Sequence, residues 1–259
     1  MNTPSAFLFD VWYTLLYLPN GPRRAVEASR RRAWVDALER SGLDVPSATA
    51  RAHELTVEIA RREPLGDPFP LSAQAAWAIP NGRVDLPRLE SALARGIEAA
   101  PVRVAPGCLR LLEGLRNEAI PTALVSNVVH EPPEAIHRIL RRCGIASQVD
   151  VIVLSSEVGA AKPDPRPMRI ALERLKTSAG GSLHLGDTDL DLVAAWRAGV
   201  PAARYVGLRR FWPGSPIPMR GPPRLPAPTV ESWARLRSTL PRLWPRAQRA
   251  AARFVQASA

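Results

Sequence analysis

Lysine is nearly absent from this chain: two in 259 residues, against thirty-three arginines. Cysteine is as scarce, with Cys108 and Cys143 alone. Two cysteines build no disulfide framework, which excludes a disulfide-stapled scaffold and makes a reduced, cytoplasmic protein the expectation. No apolar run approaches the roughly 18 residues that a membrane-spanning helix needs, so no membrane partner is expected. The early stretch Ala6-Phe7-Leu8-Phe9 is preceded by no basic segment and is interrupted by Asp10, which argues against a secretion signal. No internal repeat is present.

What is abundant is arginine, unevenly spread. The net charge is +11. From Leu208 onward ten arginines face one acid, Glu231, giving +9 and leaving a nearly neutral body at +2. A basic extension attracts nucleic acid or anionic lipid. Regular aromatic interleaving for base stacking is missing, so nucleic acid is not the expected partner, although the extension leaves it open. The length allows one large domain, or a core with an insert. Oligomeric state is not legible.

Against this background one lysine stands out. Lys162 lies in Ser155-Ser156-Glu157-Val158-Gly159-Ala160-Ala161-Lys162-Pro163-Asp164-Pro165. Arginine is a planar fork, whereas lysine is a compact point charge that reaches into a crowded polar site. Two apolar runs elsewhere end in acids: Phe7-Leu8-Phe9-Asp10, and Leu183-His184-Leu185-Gly186-Asp187 followed by Asp189 and Asp191. A third, Leu124-Val125-Ser126-Asn127, ends in a hydroxyl and an amide.

Residues 5–10 read as a short buried strand. From Pro22 to about Pro101 apolar residues recur at helical spacing, punctuated by prolines, which predicts a helical insert. Beyond Pro106-Gly107 the pattern alternates. Helices are expected at Cys108–Asn117, Pro133–Cys143, Pro167–Lys176 and Leu190–Ala198. Strands are expected at Ile120–Ser126, Val151–Leu154, Leu183–Gly186 and Ala202–Val206. This is the rhythm of right-handed βαβ units and predicts an α/β fold on a parallel sheet. Residues 208–228 read as irregular, Thr229-Val230 as a last short strand, and 231–239 and 242–256 as two helices. In open parallel sheets functional groups gather outside the carboxyl ends of the strands, where Asp10, Ser126 and Asp187 would all sit.

These groups have defined chemistry. Asp10 suits a nucleophile or a metal ligand. Asp187 and Asp191 offer hard oxygen donors of the kind Mg²⁺ takes, or serve as a helix cap. Ser126, Asn127 and Thr14 could donate to an anion or simply form turns. Trp12 reads equally as core packing or as substrate lining. His184 reads as a packed core histidine, Trp34 and Trp77 as helix packing, and His130 and His137 as surface or lid residues.

Taken together the four segments resemble the haloacid dehalogenase-like hydrolase superfamily. The resemblance covers about 1–18 and 104–206. Asp10-Val11-Trp12-Tyr13-Thr14 stands where that family has Asp-x-Asp-Gly-Thr; Ser126 fits its second motif, Lys162 its third and Gly186-Asp187-x-x-x-Asp191 its fourth. The resemblance implies a Rossmann-like core at 1–17 and 104–259, with 208–259 a basic extension, and a helical cap at 18–103 inserted after the first strand. It implies catalytic Asp10 and Lys162; phosphoryl contacts from Thr14, Ser126 and Asn127, with Trp12 beside the substrate; and Mg²⁺ held by Asp10, Asp187 and the Trp12 carbonyl, with Asp191 orienting the ion's waters or the lysine. The implied activity is Mg²⁺-dependent phosphatase-type hydrolysis of a small anionic metabolite through an aspartyl intermediate. Two alternatives stand beside it: a 2-haloacid dehalogenase-type hydrolase, for which Arg40 would be a cap arginine, and a catalytically weak binding domain. The alternatives arise because Trp12 replaces the family's second acid, and an indole N–H can only donate.

Overall fold

The computed structural model describes residues 3–80, 82–208 and 225–258. Most of the 208–228 stretch expected to be irregular therefore lies outside the described residues. In chain order the elements are β1 (Ala6–Phe9), β2 (Leu16–Tyr17), α1 (Asn20–Arg40), α2 (Val45–Arg62), α3 (Leu71–Ala78), α4 (Leu86–Glu98), β3 (Arg103–Val104), α5 (Cys108–Asn117) and β4 (Thr122–Ser126). They continue with α6 (Pro133–Arg142), β5 (Val151–Leu154), α7 (Ser155–Val158), α8 (Arg166–Leu175), β6 (Ser182–Gly186), α9 (Asp189–Arg197), β7 (Ala202–Tyr205), β8 (Thr229–Val230) and α10 (Leu236–Ser258).

Six strands form one parallel sheet in the order β5-β4-β1-β6-β7-β8. β1 is buried along its whole length, and its residues alternate between two apolar clusters. Phe7 and Phe9 join Leu112 of α5 and Ile136 of α6 on one face. Leu8 joins Met168 of α8 and Leu192 of α9 on the other. Period-2 alternation thus fixes which helices cover which face. The chain reverses from β1 to β4 on one side and to β6 on the other, so the crevice between these tips is the switch point where α/β sheets bind ligands.

Helices α1 to α4 form a separate apolar cluster around Trp34, Leu38, Leu55, Ile59, Leu89 and Leu93. The two chain crossings into this helical segment are clamped by a feature too short to read from sequence, the antiparallel pair β2–β3, with Leu16 opposite Val104 and Tyr17 opposite Arg103.

The two C-terminal helices expected at 231–239 and 242–256 prove to be one. A 3-10 turn at Trp233–Arg235 leads into α10, which carries Pro241 and Pro245 inside it. Each interior proline removes a helix hydrogen bond. Leu240, Leu243, Trp244 and Ala247 are buried against the sheet core and hold the helix together across both. Its arginines 242, 246, 249 and 253 are exposed. Trp233 stacks on Tyr205 at 4.0 Å, meets Phe9 edge-on at 5.6 Å, and donates its indole N–H to the Thr14 carbonyl at 3.0 Å. No helix among the described residues is long and apolar enough to cross a membrane.

Candidate active site

Asp10 directly follows β1, and its N–H extends the ladder to the Leu185 carbonyl of β6 at 2.9 Å. The chain then turns tightly: the N–H groups of Leu15 and Leu16 both donate to the Val11 carbonyl at 2.9 Å. Tyr13 adopts a left-handed backbone with φ 59°, the conformation glycine adopts without steric cost. That is the position where the family pattern has glycine.

Lys162 arrives from the loop between α7 and α8. Its ammonium donates to Asp10 Oδ1 at 2.6 Å, Asp191 Oδ1 at 2.5 Å and the Val125 carbonyl at 3.0 Å, so all three of its donors are used. Only 3 % of the lysine is exposed, which leaves it no escape to water. Burial alone would lower its pKa, but the two carboxylates outweigh it and hold the ammonium charged. Burial likewise pushes the Asp10 carboxyl up, Lys162 pulls it down and Asp191 pushes it up, leaving it at about 6. For Asp191 burial acts upward, and Lys162 with His184 draws it well below the usual carboxylate range.

Asp191 is fixed from both sides. In a capping box at the start of α9, its Oδ2 accepts from the Thr188 N–H at 3.0 Å and the Thr188 hydroxyl at 2.6 Å. Its Oδ1 meets Lys162 and, at 3.4 Å, Nε2 of the fully buried His184. Cap and ion pair coexist in one carboxylate. The arrangement needs Gly186, because a Cβ there would lie 2.3 Å from the Asp191 carboxyl carbon.

Asp10, Asp187 and Asp191 each bring an oxygen within 4.8 Å of the others, a hard-donor set that fits a divalent cation. Asp187 forms no ion pair among the described residues. Burial, then the charges of Asp10 and Asp191, push its carboxyl up. Three converging carboxylates against a single lysine leave an excess of negative charge that a cation would offset.

The other expected site residues divide. Ser126 ends β4 and lines the cleft; its hydroxyl has one protein acceptor among the described residues, the Asn127 carbonyl at a long 3.5 Å. Asn127 lines the cleft too, yet its side chain is committed to the Lys162 main chain. Trp12 is partly buried on the cleft wall. Thr14 is fully buried and is not among the lining residues. Arg40 does not reach the cleft: half its side chain is exposed and it pairs with Asp36 at 2.9 Å. His137 pairs with Glu157 at 2.8 Å outside the cleft, whereas His130 lines it. Burial, reinforced by Arg30, pushes the His130 imidazole down to about 3.

The cleft measures roughly 620 Å³ and draws on both the sheet tips and the helical segment. Sequence reasoning missed several of its walls. Arg23, Glu27 and Arg30 sit at i, i+4 and i+7 along α1, a spacing that could have marked them as one face. Arg23 pairs with Glu27 at 2.8 Å, and Arg30 Nε donates to Glu131 of the β4–α6 loop at 2.5 Å. Arg204 of β7 pairs with Asp189 and donates to the Asp187 carbonyl at 3.1 Å. Glu63, just past α2, completes the wall. No local sequence signal marks it.

Comparison with known proteins agrees with this geometry. Residues 78–205 match the family described as haloacid dehalogenase-like hydrolase. A phosphoserine phosphatase of Thermus thermophilus is 30% identical over 207 residues, 74% of this chain and 78% of that one. A phosphoglycolate phosphatase of Rhodospirillum rubrum is 33% identical over 102 residues, 39% of this chain but only 41% of that enzyme's length. A crystal structure of a phosphatase of the same superfamily from Thermococcus onnurineus superimposes with a TM-score of 0.62 at 20% identity, covering 91% of this chain and 97% of that one. The chain belongs to the haloacid dehalogenase-like hydrolase family.

Proposed function

We propose that this protein is a Mg²⁺-dependent phosphatase acting on a small, anionic phosphorylated metabolite through an aspartyl-phosphate at Asp10. Residues 1–17 and 104–259 act as the catalytic core, and 18–103 as a cap that supplies part of the substrate pocket. The observation that carries the reading is the Asp10–Lys162–Asp191 array with Asp187 beside it, free of any ion pair among the described residues. The phosphatase relatives add support.

In this reading Lys162 holds the Asp10 carboxylate aimed and charged, and Asp191 holds Lys162. Asp10 attacks phosphorus while Ser126 donates to a phosphoryl oxygen. Arg23 and Arg30 attract the substrate's anionic remainder, with Trp12 beside it. Mg²⁺, held by Asp10, Asp187 and the Trp12 carbonyl, would neutralise charge developing on the phosphoryl group. Fixed charges that need no reorganisation during reaction are the largest general source of such acceleration. Two free thiols, Cys108 and Cys143, fit a reducing cytoplasmic setting.

The test is phosphate release from p-nitrophenyl phosphate with and without Mg²⁺. Activity should need the ion and disappear in Asp10→Asn; undiminished turnover in that variant would sink the reading. Trp12 favours a second reading, because a halide leaves without a proton. Halide release from 2-chloropropionate in EDTA would support it. No turnover on either, with ligand binding retained, would support a weakly active binding domain.

A further inference from the structure

We infer that Glu63 is the proton donor and acceptor of this site, standing in from the helical segment for the acid that Trp12 lacks; the inference rests on the phosphatase reading above. Phosphate esters of ordinary alcohols need a proton delivered to the departing oxygen. Trp12 cannot deliver one, because its indole does not titrate.

The ion pairs of the cleft single out the candidate. Asp10 and Asp191 are bound to Lys162, Glu27 to Arg23, Glu131 to Arg30 and Asp189 to Arg204. Among the described residues only two cleft-lining acids form no ion pair, Asp187 and Glu63. Asp187 belongs to the cation set. Glu63 does not: it is half-buried at the cleft wall and forms no ion pair among the described residues.

The fold also fixes where Glu63 stands. It opens a 3-10 turn that ends at Gly66, whose φ is 72°. Gly66 lies so close to the lysine loop that a Cβ would come 2.9 Å from the Ala161 carbonyl and 3.3 Å from the Asp164 nitrogen. The turn is braced from its flanks: Arg62 binds Glu58 at 2.6 Å and Asp67 at 2.7 Å, and lies 4.2 Å over the Phe69 ring. Burial pushes the Glu63 carboxyl up against the pull of Lys162, with Asp191 adding to the rise, so it keeps its proton to higher pH than an exposed glutamate.

The proton balance closes. As Asp10 bonds to phosphorus, the bond from phosphorus to the ester oxygen breaks. That oxygen keeps the electron pair and takes the Glu63 proton. Water then attacks phosphorus and gives a proton to the Glu63 carboxylate. The phosphorus–Asp10 bond breaks, and aspartate, phosphate and neutral Glu63 are restored.

The experiment is a series of phosphate monoesters from p-nitrophenyl through phenyl to simple alkyl, run on wild type, Glu63→Gln and Glu63→Asp with Mg²⁺. Wild-type kcat/KM, which reports the step that expels the leaving group, should depend only weakly on leaving-group basicity. Glu63→Gln should lose about 10²-fold or more in kcat/KM on alkyl esters, the usual scale of general acid catalysis, and little on p-nitrophenyl phosphate, while its kcat falls on every ester because water attack is common to all. Glu63→Asp should recover part of the loss. A steep wild-type dependence of kcat/KM on leaving group, or a loss of kcat/KM in Glu63→Gln that is uniform across the series, overturns the inference alone. Absence of Asp10-dependent turnover in wild type overturns the phosphatase reading and this inference with it.

Discussion

Asn127 and Lys162 bind each other's strand-end loops in a closed ring: the Asn127 amide donates to the Lys162 carbonyl at 2.9 Å, and its Oδ1 accepts from the Lys162 N–H at 2.8 Å. An asparagine expected to touch the phosphoryl group thus commits both ends of its amide to the main chain of Lys162. Each bond is worth about 1 kcal/mol. Asn127→Ala should therefore lower stability by about 1–3 kcal/mol in urea unfolding and reduce kcat more than it raises KM. A variant that changes KM alone would return Asn127 to substrate contact.

Breaking the buried lysine array leaves charge stranded. Lys162→Met should cost about 3–5 kcal/mol of stability, the usual scale for removing one partner of a buried pair. Adding Asp10→Asn to that variant should recover part of the loss, because one of the two stranded carboxylates is gone. Strictly additive losses in the denaturant melts would contradict the coupling.

Asp187 behaves in the opposite sense. Burial, and then its like-charged neighbours, disfavour its carboxylate, so Asp187→Asn should leave the metal-free protein no less stable than wild type. The same variant should lose the Mg²⁺-dependent rise in melting temperature. A ligand at 100 times its Kd contributes about 2.7 kcal/mol, which a thermal melt resolves. A full Mg²⁺ shift in Asp187→Asn would rule out this cation site.

His130 sets a pH dependence. Its imidazole ionises near 6.5 in an unfolded chain and at about 3 here, so the unfolded state binds more protons between those values. Stability is complete above 6.5 and declines as pH falls through that window, by up to about 1.4 kcal/mol per unit for this group. Equilibrium unfolding between pH 7 and 5 should show a steeper loss in wild type than in His130→Gln; parallel curves would count against it.

Gly66→Ala tests how the helical segment is seated. The positive φ and the 2.9 Å approach to Ala161 both oppose a side chain. A loss of about 1–3 kcal/mol is expected from the strain, together with reduced turnover, since the turn carrying Glu63 must lift from the lysine loop. Unchanged activity with lowered stability would mean that seating and chemistry are independent.

Much of the fold was legible because it follows from short-range pattern. Helix Cys108–Asn117 and strand Val151–Leu154 fall where apolar spacing puts them, and acids at the ends of apolar runs marked strand tips that the sheet order brings together. Long-range packing was not legible. The prolines of α10 signalled a break that burial of Leu240 and Trp244 overrides. Arg40 and Arg30 look alike in sequence; only the pose of α1 decides that Arg30 reaches Glu131 while Arg40 faces solvent. Glu63 is invisible for the same reason, because its role depends on one segment folding back over another.

The Trp233 indole holds the loop leaving β1 through the Thr14 carbonyl, a contact that spans 219 positions of sequence. During synthesis the loop that follows Asp10 therefore emerges from the ribosome long before its brace. Until the distal aromatic follows, the nascent chain carries Asp10 beside a turn held only by local hydrogen bonds, those to the Val11 carbonyl among them.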